Sequence, residues 1–71
     1  MAELVTFVFD TTTAALWAEE VAQACEVPAE LVSAPSDSDA KCDLALVTHA
    51  RHAPTLERAL EEEGVPFKRW P

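Results

Sequence analysis

Apolar and polar residues alternate with changing period along this 71-residue chain, and each change marks an element. Leu4 to Phe9 alternates, with Val5, Phe7 and Phe9 on one side and Leu4, Thr6 and Val8 on the other. That period of two predicts a strand. Asp10 and Thr11-Thr12-Thr13 interrupt it. Their side-chain oxygens suit a helix start, where backbone N–H groups lack partners. A first helix is expected from about Thr13 to Cys25, with Ala14, Trp17, Val21 and Ala24 or Cys25 as its apolar stripe. Glu19, Glu20 and Gln23 then face water, and Pro28 forbids continuation.

Ala29 to Ser33 reads as a short second strand. The polar, proline-containing stretch 33–41 follows, and a third strand runs from Cys42 to about Thr48. His49 to Ala53 reads as a connection, its histidines in a solvated loop. Pro54 suits the first turn of a second helix reaching Glu63, with Leu56, Ala59 and Leu60 inward. Gly64 is a natural stop. Val65 to Trp70 makes a fourth strand, and Pro66 places it at a sheet edge. The order β-α-β-β-α-β predicts an α+β, ferredoxin-like sandwich: an antiparallel sheet in the order 4-1-3-2 with two helices on one face. Both crossovers are expected to be right-handed. Residues 1–71 are read as one domain.

Charge narrows the partners. Lys plus Arg total 5 and Asp plus Glu total 13, a formal charge of −8. Such a surface repels phosphate backbones and anionic lipids, so neither nucleic acid nor a membrane is the expected partner. No apolar run approaches the ~20 residues of a membrane helix. Glu3 stands where a secretory signal would be basic, so a cytoplasmic protein with reduced thiols is expected. With 49% apolar residues, disorder is not expected.

Cys42 is the residue best placed for chemistry. It opens the third strand, which runs opposite to the first. It is therefore expected beside Phe9 and Asp10, where the first helix begins. Parity with Leu44 and Leu46 turns it towards the helices. A helix amino end presents partial positive charge and free N–H groups, which favour a thiolate and a small anion. Thr11, Thr12, Thr13 and Lys41 are the candidate anion-binding groups. Asp10, Asp37, Asp39 and Asp43 act in the opposite sense. The residues thus allow a nucleophilic or sulfur-carrying thiol, or a cysteine that merely fills the upper edge of the core.

Cys25, His49 and His52 are expected at the other end of the sheet, about 17 Å away along the third strand. A Cys25–Cys42 disulfide conflicts with that separation. Cys25 is read as the last apolar contact of the first helix. Cys25, His49 and His52 lack a recognised metal-ligand spacing and a fourth ligand, so no metal is assigned, and no cofactor either. No serine, histidine and carboxylate set converges, so a hydrolase is not expected and the protein is not read as an enzyme by itself. Glu61-Glu62-Glu63 ends the second helix against its dipole, which hints at a basic partner surface. Trp70 is the candidate partner anchor. The edge strands, second and fourth, offer a route to a homodimer. The face away from the helices is expected to carry Thr6, Asp43 and Lys68 among smaller apolar groups.

An ordered set of short motifs runs through nearly the whole chain: Phe9 before Thr11-Thr12-Thr13, Ala15-Leu16 followed by Glu19 or Glu20, Leu31-Val32-Ser33-Ala34-Pro35, Cys42-Asp43-Leu44-Ala45-Leu46, and Glu62-Glu63-Gly64-Val65-Pro66-Phe67. In this set the chain resembles the putative selenium/sulfur carrier-like family of small bacterial and archaeal proteins. Members of that family carry a cysteine followed by glycine and then Leu-Ala-Leu, and Cys42 falls on the cysteine. The resemblance implies that Cys42 holds sulfur or selenium as a persulfide or perselenide, handed to or from a protein partner. Asp43 replaces the glycine, and Ser36-Asp37 stands where a basic residue usually follows the proline, so both departures are acidic. The residues taken alone also fit an interaction module or a small-ligand regulatory domain in which Cys42 is structural.

Overall fold

A computed structural model of the protein describes residues 3–34 and 43–70. Strand β1 (Leu4–Val8) leads into helix α1 (Thr12–Ala24), and strand β2 (Ala29–Ser33) follows. Strand β3 (Leu44–His49) comes next, then a short 3-10 turn (Ala50–His52), helix α2 (Ala53–Glu63) and strand β4 (Lys68–Trp70). The four strands form one sheet in the order β2-β3-β1-β4, with every neighbouring pair antiparallel. This is the expected order read from the other edge. The edges are β2 and β4.

Local chemistry accounts for the helix boundaries. Thr11 is extended and its Oγ1 accepts a 3.0 Å hydrogen bond from the Ala14 N–H, so α1 begins one residue earlier than expected. Gly64 ends α2 in the left-handed region at φ 77°, where a side chain would be strained. Helix α1 ends in the same way, but with Glu26 at φ 58°. The Val27 N–H reaches back to Ala22 O at 2.8 Å, as the Val65 N–H reaches Leu60 O at 2.9 Å.

The core lies between the helices and one face of the sheet. Val5, Phe7, Phe9 and Leu46 from the sheet meet Ala14, Ala15, Ala18, Val21 and Ala22 from α1 and Leu56 and Leu60 from α2. Phe67 closes the β4 side edge-on to Phe7, with ring centres 5.5 Å apart.

Three sequence readings change. The buried stripe of α1 is rotated towards Ala15, Ala18 and Ala22, and Trp17 is 40% exposed. Alanines lose little rotamer freedom and let the helix approach the sheet closely; an indole on that stripe would hold it off. Cys25 is the exposed C-cap of α1 rather than a core contact. His49 to His52 is not a solvated loop either: it closes β3 and makes the 3-10 turn, with both histidines half-buried.

Candidate functional site

The sheet end where α1 begins is assembled by strand register. Val8 of β1 pairs with Ala45 of β3, and Ser33 of β2 pairs with Leu44. The last residues of β1 and β2 and the first of β3 therefore lie at one end. Beyond the ladder, the Ala34 N–H donates to Asp43 O at 2.7 Å. This bond ties together the two points between which residues 35–42 run. Cys42 and Lys41 lie outside the described residues; Asp43, the chain neighbour of Cys42, is exposed.

The threonines follow β1 at this same end. Thr11, Thr12 and Thr13 are all exposed, and Thr11 is committed to capping. Helix α1 has no acidic residue in its first turn, so its amino-end charge is not compensated from within the helix. Asp10 and Asp43 are exposed at this end and supply negative charge. On β3, Leu44 and Leu46 pack towards the helices while Ala45 alternates to the other face, so the strand carries the parity the sequence suggested.

The other sequence-selected groups are dispersed. Cys25 Sγ donates to Ala22 O at 3.6 Å. His49 sits at the far end of β3, about 17 Å along the strand from Leu44. Its Nδ1 is buried with no hydrogen-bond partner among the described residues. The His49 and His52 ring centres are 6.5 Å apart, and Arg51 Nε donates to His52 Nε2 at 3.4 Å. Among the described residues no three His, Cys, Asp or Glu side chains are grouped to hold a metal ion.

Trp70 is half-buried on edge strand β4, opposite Thr6. Its neighbour Arg69 turns to the helix side and meets Glu57 of α2 at 3.6 Å. Alternation therefore puts Trp70 on the face away from the helices, with Thr6 and Lys68. Leu4, on the same face, is 64% exposed.

Sequence reading did not find a groove of about 380 Å³ between α1 and α2, lined in part by Trp17, Val21, Cys25 and Ala59. Its signal was present in the three glutamates ending α2, but locating it required the rotation of α1. No helix among the described residues is long and apolar enough to cross a membrane.

A family model described as "Putative Se/S carrier protein-like" matches residues 5–70. No curated protein and no solved structure matches the chain.

Proposed function

The chain belongs to the Se/S carrier protein-like family, and we propose that it carries sulfur or selenium on Cys42 and passes it to a protein partner. The family match over residues 5–70 is the observation that carries this reading. The described geometry around the thiol's neighbour supports it. Asp43 is held by the Ala34 N–H at the sheet end where Thr11 starts α1. The scaffold is taken as a ferredoxin-like sandwich, and the protein is a carrier rather than an enzyme in its own right.

The chemistry is thiol exchange. The Cys42 thiolate attacks the outer sulfur of a donor persulfide, forming a new S–S bond as the donor thiolate leaves. Delivery repeats the step in reverse: an acceptor nucleophile takes the outer sulfur and the Cys42 thiolate departs. No net oxidation occurs, so no cofactor is needed. Selenium follows the same course with a sulfur–selenium bond. Thr11, Thr12, Thr13 and Lys41 would steady the anionic form, and the reaction is placed in the reducing cytoplasm.

The test is intact mass of protein isolated without reductant, alongside Cys42→Ser and Cys25→Ser variants. A gain of about 32 Da (sulfur) or about 79 Da (selenium) is expected, lost on adding a thiol reductant. It should vanish in Cys42→Ser and persist in Cys25→Ser. An adduct that follows Cys25, or none after incubation with a persulfide donor, removes the reading.

A second reading rests on Trp70, a large aromatic on an edge strand with Leu4 exposed on the same face. Here the protein is a docking module or small-ligand regulatory domain, Trp70 anchors a partner or a second copy through the sheet edge, and Cys42 is structural. Trp70→Ala would then abolish association while Cys42→Ala leaves it intact.

A further inference from the structure

The groove between α1 and α2 lies on the helical layer and involves none of the threonines at the start of α1. Its floor is apolar, built in part from Trp17, Val21, Ala24 and Ala59, and carboxylates Glu20, Glu62 and Glu63 line it. Leu16, next to Trp17, is 46% exposed and extends the apolar surface.

Its charge is one-sided. Neither helix has a basic residue in its last turn, where Lys or Arg would offset the dipole. Glu62 and Glu63 instead stand at the negative end of α2, facing a groove shared with Glu20. Arg58 is the only cationic residue on either helix, and its Nε is 3.3 Å from Glu62 Oε1. Glu20 and Glu63 remain to meet an outside cation. A cationic occupant would complement these carboxylates and could also lie against the exposed Trp17 indole.

We propose that this groove docks a basic amphipathic segment of a protein partner, one apolar side chain seated beside Trp17 and flanking Lys or Arg meeting Glu20 and Glu63. The length fits. Trp17 to Cys25 spans about 12 Å of helix axis, enough to lie along two turns of a partner helix. An anionic lipid surface is disfavoured by the net charge of −8. The inference stands apart from the thiol reading, because it is measured by binding and not by chalcogen transfer.

The probe is a synthetic helical Lys/Leu peptide of about twelve residues, titrated into the isotope-labelled protein beside a Glu/Leu counterpart of the same apolar pattern. Shift changes are expected at the Trp17 indole, Val21, Ala24 and Ala59 with the basic peptide alone. Glu20→Gln/Glu63→Gln should weaken binding about fivefold or more, and Trp17→Ala at least as much. Glu3→Gln/Glu30→Gln, which removes equal charge from exposed positions outside the groove, should weaken it less than about twofold. Equal losses in the two charge variants would overturn the proposal as bulk attraction. Equal binding of both peptides, shifts centred on the sheet face, or no binding at all would overturn it too.

Discussion

Thr48 Oγ1 donates a 2.7 Å hydrogen bond to the carbonyl oxygen of Pro28, twenty residues earlier in the chain. Thr48 is the one buried polar side chain among the described residues, and it lies on the helix-facing side of β3. Pro28 stands just before β2, so the bond sets where the chain leaving α1 joins the sheet. Thr48→Val keeps the shape and removes the donor. The expected loss is about 1 kcal/mol, seen as a fall in Tm of about 4–8 °C with little change in the urea m-value. An unchanged melting temperature would show the bond to be dispensable.

Thr11 offers a prediction with two readouts. Its hydroxyl satisfies the Ala14 N–H, so Thr11→Ala should cost about 1 kcal/mol and Thr11→Ser much less. If the amino end of α1 also steadies a Cys42 thiolate, fraying that end should slow alkylation of Cys42 at neutral pH by about two- to fivefold. Cys25 lies at the other end of the helix and should react at its usual rate. Mass-resolved alkylation separates the two thiols. Slowing at both alike would mean general loosening of the fold.

The helix ends form a matched pair. Both α1 and α2 close through a left-handed residue, Glu26 at φ 58° and Gly64 at φ 77°. A Cβ built on Gly64 meets nothing within 4 Å, so Gly64→Ala carries only the backbone penalty, about 1–2 kcal/mol. Glu26→Gly removes a comparable strain, offset in part by the freer unfolded chain, and should be neutral or stabilising by up to about 1 kcal/mol. Chemical denaturation of the two variants gives the signs directly. Stabilisation by Gly64→Ala would contradict this account.

Much of this architecture is legible in one sequence because its signals are local. Alternation from Leu4 to Phe9 marks β1, Gly64 marks the end of α2, and the element order leads to the observed sheet order. The left-handed end of α1 was not legible, since glutamate gives no sign that it will adopt that conformation. The candidate thiol site is legible only as a set of neighbours. Thr11 and Asp43 stand at the expected sheet end, while Cys42 and Lys41 lie outside the described residues.

Sequence alone determined the elements and their order, because period, capping chemistry and turn residues act over a few positions; the strand order then followed from the usual compact packing of that element order. Only the tertiary structure decided which face of α1 is buried. Alanine at 15, 18 and 22 carries a weak hydrophobic signal beside Trp17, yet these small side chains are what let the helix settle over β2 and β3. Close packing favours the surfaces that fit together over the residue with the largest apolar area, and that choice leaves Trp17 in the acidic groove.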